Sequence, residues 1–201
     1  MMPETRSLIV ELDAALSKAS DSQHLTILRR VTDLFLNGSQ TFSDDQVAIF
    51  DDVINRLIEK TEQPALIELS ARLAPVSNAP VNVVARLASN DDIAVSSPIL
   101  EKSDMLTDQT LAEIAGTKSQ KHLAAIAGRT RIRESVTDIL VHRGNSEIAH
   151  KVTANQGVRL SELGFVKLIQ RAKNDKALAA AIANRTDMPP ELEPFLKLAL
   201  A

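Results

Sequence analysis

Ala124-Ala125-Ile126-Ala127-Gly128-Arg129-Thr130 returns 56 positions later as Ala180-Ala181-Ile182-Ala183-Asn184-Arg185-Thr186. The apolar residues that follow keep step: Ile132, Val136, Ile139 and Leu140 stand opposite Met188, Leu192, Phe195 and Leu196. Each copy is a small aliphatic helix face, a turn residue, and then a second face at helical spacing. Ala85-Arg86-Leu87-Ala88 begins a weaker copy, and Val31-Thr32-Asp33-Leu34 is echoed by Val136-Thr137-Asp138-Ile139. The period is irregular, so these are degenerate repeats.

Helical spacing continues on both sides of the repeat, and strand alternation is almost nowhere. Leu8, Leu12, Ala15, Leu16 and Ala19 follow the i, i+4, i+7, i+8 pattern of one helix face. Leu25, Leu28, Val31, Leu34 and Phe35 form a second face, stopped by Asn37-Gly38. Ser43-Asp44-Asp45-Gln46 reads as a capping box ahead of a third face, Val47 to Ile58. Pro64 opens a helix through Leu73, and Pro75 and Pro80 bracket a loop. Beyond it the spacing predicts short helices over 80–88, 91–101, 107–116, 119–127, 131–142, 145–153, 160–172, 174–184 and 188–200. Pro194 strains the last of these, so that helix is kinked or starts later. Helices this short are marginal alone and must be stabilised by their neighbours.

Two blocks follow: 1–73 as a helical bundle, and 80–201 as a short-helix repeat stack. The six-residue loop between them is short enough for one packed body. The apolar end, Pro194 to Ala201, reads as a chain cut from a longer protein.

Composition narrows the chemistry. Of 201 residues 44 % are apolar but only 2 % aromatic, with no Trp and no Tyr, so the core is built from Leu, Ile, Val and Ala. Cysteine is absent, which excludes disulfides and thiolate chemistry. No signal peptide and no apolar run of membrane-spanning length is visible. The expected location is cytoplasmic.

The net charge of −3 is unevenly spread: residues 1–117 carry −9, residues 118–173 carry +7, and residues 174–201 carry −1. Three of the four histidines, His122, His142 and His150, lie in the basic segment. His142 and His150 are separated by Gly144-Asn145, so they share no helix face and form no metal pair. The six glycines are scattered singly, which excludes a phosphate-cradling glycine loop. The paired carboxylates Asp44-Asp45 and Asp91-Asp92 suit helix starts, and Asp51-Asp52 the outer face of the third helix. Asp33 and Asp138, inside apolar runs, need a partner, either a neighbouring helix end or an Arg of the next repeat, with a catalytic acid as the lesser reading. No catalytic residue, cofactor or metal site is expected.

The functional lead is the basic segment. Arg129, Arg131 and Arg133 surround one turn, Lys118 and Lys121 precede them, and Arg143, Lys151 and Arg159 follow at later turns. Stacked repeats align equivalent turns, so these eight side chains form a candidate stripe for an acidic protein partner or phosphates. The opposing reading scatters them over several faces or has them neutralise the acidic first block. A protein–protein interaction or scaffold module is the expected function. Nucleic-acid or phosphate-ligand binding is the alternative, weakened by the missing aromatic stacking platforms and the overall acidity. A helical-repeat enzyme with a site assembled from distant residues is the third reading.

The chain also resembles a known family. The phrases Arg29–Leu36, Phe42–Val47, Phe50–Val53 and Leu69–Pro75 look like its first half. His122–Ala127, Val136–Val141 and Asn184–Pro190 look like its second half. Together they resemble the uncharacterised alphaproteobacterial domain of unknown function numbered 2336, over roughly 25–200. The resemblance implies an α-solenoid similar to HEAT repeats and leucine-rich-repeat variants, and brings no activity, cofactor or catalytic residue. The expected fold is therefore all-α: a right-handed α-α superhelix of short HEAT-like helical hairpins with an N-terminal helical bundle.

Overall fold

The computed structural model describes residues 21–200. The helix face expected over Leu8 to Ala19 lies outside them. Among the described residues the protein is all-α, with twelve α-helices and one 3₁₀ turn. Extended pairing is confined to one isolated parallel bridge, Ile132 with Val158. The chain divides into two compact units: residues 1–99 with 103–105, and residues 100–102 with 106–201.

The first unit contains α1 (Asp21–Gly38), α2 (Asp44–Ile58), α3 (Gln63–Leu73), α4 (Val81–Ala88) and most of α5 (Ile93–Lys102). The capping box at Ser43 and Gln46 is formed, each side chain bonding the other's backbone N–H. Phe35, Phe42 and Phe50 meet in one cluster, with ring centroids 5.1–6.1 Å apart. Leu28, Ile54, Leu57, Leu69 and Leu73 complete the core. The loop Pro75–Pro80 lies inside this unit.

Asp51 corrects a sequence expectation. It does not sit on an outer face but is buried, at 6 % exposure. Its carboxylate accepts from Asn82 N–H at 3.1 Å and Val83 N–H at 2.9 Å, and from Asn82 Nδ2 at 2.6 Å. The start of α4 follows Pro80, which offers no side-chain cap, so a carboxylate from α2 supplies one.

The second unit contains α6 (Asp108–Thr117), α7 (Gln120–Ala127), α8 (Glu134–Arg143), α9 (Ser146–Ala154), α10 (Glu162–Ala172), α11 (Lys176–Ala183) and α12 (Glu193–Leu200). Here α6, α8, α10 and α12 pack in series, and α7, α9 and α11 form a second series against them. Helix starts in the first series fall at 108, 134, 162 and 193. One hairpin therefore takes under 32 residues, and the 56-residue echo spans two of them: Ala124 lies in α7 and Ala180 in α11. Leu111, Ile114, Leu140, Phe165 and Leu168 fill one side of the core, and Leu123, Ile126, Ile148, Val152, Leu178 and Ile182 the other. Each such side chain gives roughly 1.5–3 kcal/mol on burial. Two to four buried apolar side chains per helix offset what helices of 8–11 residues lack alone.

Side-chain caps start most of these helices: Thr107, Asn145, Ser161 and Asp175 each accept an N–H from the first turn. The last helix begins late. A 3₁₀ turn, Pro190–Leu192, precedes α12, and Pro194 lies in its first turn, where a missing N–H is tolerated.

Candidate interaction site

The basic segment resolves into two sets of side chains. Helix C-termini expose carbonyls without intrahelical partners, and cations there also meet the negative end of the helix dipole. Arg143, at the end of α8, donates through Nη1 to Ala115 O and to Lys118 O, at the end of α6. Arg171, at the end of α10, repeats this one hairpin later, donating to Val141 O at 3.1 Å and Gly144 O at 2.8 Å. The second series has its own clamps. Arg129 donates to Leu100 O at 2.8 Å. Asn155 donates to Ala127 O at 3.2 Å and Arg129 O at 2.7 Å. Arg185 reaches Thr153 O, Asn155 O and Val158 O, all within 3.1 Å. Arg185 is also paired with Asp187 and lies 5.9 Å from the Phe165 ring centroid. Lys151 donates to Ala124 O at 2.6 Å.

These geometries correct part of the expected stripe. Arg129 is 8 % exposed, so it cannot touch a partner: its guanidinium is drawn inward by a helix-end carbonyl. Arg143 and Lys151 are exposed, but their polar heads are committed to carbonyls of the preceding helices. Lys118 is half-buried at the end of α6, and Lys121 is exposed on α7. The eight residues do not form one stripe.

Three of them do come together. Arg131, Arg133 and Arg159 line a concavity of about 830 Å³, and Asp108, Glu134 and Ser135 line it too. The bridge between the loops 128–133 and 155–161 places them. Ile132 N–H donates to Gly157 O at 3.3 Å, and Arg159 N–H donates to Ile132 O at 2.9 Å. In extended chain successive side chains point to opposite faces. Ile132 and Val158 turn inward, at 4 % and 1 % exposure. Their neighbours Arg131, Arg133 and Arg159 therefore turn outward together.

Gly157 makes the approach possible, because a Cβ there would lie 1.8 Å from Thr130 O. Arg133 Nε pairs with Asp108 Oδ2 at 3.1 Å. Among the described residues, the Arg131 and Arg159 guanidiniums have no hydrogen-bond or ion-pair partner. Arg133 also occupies the N-cap of α8, which lacks the side-chain cap that Thr107 gives α6 and Ser161 gives α10. The first N–H groups of α8 therefore have no side-chain cap.

The remaining candidates have structural roles. Asp33 pairs with Arg72 of α3, and Asp138 accepts from Ser161 Oγ at 2.6 Å, tying α8 to the start of α10. His122 is buried against Ser119 Oγ, His142 contacts Lys167 Nζ, and His150 Nε2 lies 2.7 Å from Asp175 Oδ2. The Asp175 carboxyl is held below its ordinary range, first by the N–H of Leu178 and then by His150. Among the described residues no three His, Asp or Glu side chains gather as a metal site, and no helix is long and apolar enough to cross a membrane.

Asp108, Glu134 and Gly157, which also line the concavity, were not legible as site residues, nor were Asn155, Arg171 and Arg185 as clamps. The signal for the first group was the alternation Arg131-Ile132-Arg133 beside Gly157-Val158-Arg159, too short to read as strand pairing.

Comparison with curated proteins gives no match, and neither does comparison with solved structures. Residues 95–193 match the family described as "Uncharacterised protein conserved in bacteria (DUF2336)". That match covers α6 to α11 and the concavity, and does not extend to the phrases between Arg29 and Pro75. Over residues 95–193, just under half of its length, the chain is similar to this uncharacterised bacterial family.

Proposed function

We propose that this chain is a non-catalytic interaction module of the cytoplasm, a HEAT-like helical solenoid that docks an acidic segment of a partner protein. The carrying observation is the concavity lined by Arg131, Arg133 and Arg159. Seven arginines lie in the second unit. Arg129, Arg143, Arg171 and Arg185 clamp helix ends, which accounts for them structurally. Arg131 and Arg159 have no such duty and face one hollow. Unpaired, exposed guanidiniums gathered in a concavity attract and orient carboxylates or phosphates. The serial packing of α6, α8, α10 and α12 supports the solenoid reading, since such stacks present extended surfaces for partners.

A continuous polyanion fits less well. Asp108 and Glu134 also line the hollow, two carboxylates against three guanidiniums, and would repel evenly spaced phosphates. The test is affinity capture from the native cytosol, comparing the wild type with an Arg131→Glu/Arg133→Glu/Arg159→Glu variant. Partners carrying acidic segments are expected to be lost from the variant. Equal recovery by both proteins would overturn this reading.

A further inference from the structure

We infer that the group seated in the concavity is a single phosphate monoester on a protein segment, such as a phosphoserine, an inference that rests on the docking reading above. The choice of cation is the first argument. The chain uses lysine at many exposed positions of this unit, among them Lys121, Lys167, Lys173 and Lys176, yet every cation lining the concavity is arginine. A guanidinium offers a planar fork of donors that matches two oxygens of one phosphate, whereas an ammonium is a point charge. Arg131 and Arg159 hold their forks unengaged, and Arg133 keeps its two terminal nitrogens clear of the Asp108 contact, which uses Nε.

The number of donors is the second argument. A carboxylate has two oxygens and is satisfied by one fork. Three forks around one hollow suit a group with three peripheral oxygens and nearly two negative charges. The carboxylates of the lining are the third. Asp108 and Glu134 reduce the attraction for a diffusely acidic chain, but a doubly charged group still gains from three cations lining one hollow. The hollow, about 830 Å³, also exceeds a lone phosphate, so the phosphate arrives on a larger body.

The test uses fluorescence anisotropy with the full chain and four labelled probes. These are a Gly/Ser peptide with one central phosphoserine, the same peptide with Ser or with Asp at that place, and an oligothymidylate. Inorganic phosphate serves as unlabelled competitor. The phosphopeptide is expected to bind at least about tenfold more tightly than the Asp peptide. Inorganic phosphate is expected to displace it only at a large excess. Arg131→Glu/Arg159→Glu should abolish binding while keeping the wild-type thermal melt, and Arg131→Lys/Arg159→Lys should lose the preference for phosphate over Asp. Equal binding of the phosphoserine and Asp peptides, both lost in the Glu variant, overturns this inference and leaves the docking reading standing. Inorganic phosphate competing as well as the peptide, or an oligothymidylate binding more tightly, overturns it in favour of a free phosphate or a nucleic acid. Peptide binding unchanged in the Glu variant overturns both.

Discussion

At the scale of single residues, the same side chain does opposite work depending on whether a helix end lies within reach. Arg129 and Arg131 are two positions apart, yet one is buried on Leu100 O and the other open to solvent. Charge counting sees two equal cations. What separates them is the location of an orphan carbonyl in the preceding hairpin, and that depends on tertiary register. This is why the basic segment was legible in the sequence while its division was not. Asp51 went astray for the same reason, since the start of α4, which it caps, is about thirty positions away in sequence. Asp138, by contrast, was readable: half-buried in an apolar helical run, it needs a partner and finds Ser161, whereas Asp33 is exposed and its pair with Arg72 is not demanded by burial.

Gly157 gives a prediction at this scale. Its φ is unremarkable, and glycine is required there only because Thr130 O comes so close. Gly157→Ala must push the loops 128–133 and 155–161 apart. A cost of about 1–3 kcal/mol in urea unfolding is expected, with loss of whatever binding the concavity supports. An alanine variant as stable as the wild type would show that the loop pairing is loose.

At the scale of elements, the helices of the second unit were legible in number, order and approximate bounds, because their apolar spacing, turn residues and prolines agree. The late start of α12 follows from Pro190 and Pro194. The extended pair at Ile132 and Val158 was not legible, because one bridged residue on each side is too short for alternation to register. Polar links tie α6 to α8, α8 to α10, α7 to α9 and α9 to α11. Asp175 is the clearest: it caps α11 through Leu178 N–H and meets His150 of α9. Its pKa is lowered in the folded protein, so the unfolded chain takes up the proton first as pH falls. The stabilisation is complete above the ordinary carboxylate pKa, about 4, and is lost as pH drops through the lower folded value. Thermal melts from neutral to acidic pH should therefore show a shallower acid decline for Asp175→Asn than for the wild type, with the variant less stable at pH 7. Parallel curves would remove Asp175 from the acid response.

At the scale of the molecule, the second unit is two interleaved series of short helices in which hydrophobic burial supplies the cohesion and side-chain clamps supply the register. The Arg143 and Arg171 contacts recur 28 positions apart, and Arg129, Asn155 and Arg185 recur along the other series. A clamp of this kind satisfies carbonyls that would otherwise be left orphaned, and it fixes which turn of one helix faces which end of the next. The first unit has one such clamp, Arg86 on Asn55 O at 3.3 Å, and adds ion pairs, Arg29 with Glu68 and Arg72 with Asp33, between α1 and α3. Exposed pairs of that sort are worth little each, so the packing of Phe35, Ile54, Leu57 and Leu73 dominates there.

The central claim is that the arginines of the second unit divide into clamps on helix-end carbonyls and a set that lines the hollow. Urea unfolding of seven single Arg→Gln variants, at 129, 131, 133, 143, 159, 171 and 185, measures this directly. Losses of about 1–3 kcal/mol are expected at 129, 143, 171 and 185, where carbonyls lose their donor, and changes within about 0.5 kcal/mol at 131, 133 and 159. Equal losses at all seven positions, or larger losses at 131 and 159 than at 129 and 185, would contradict the division and with it the site.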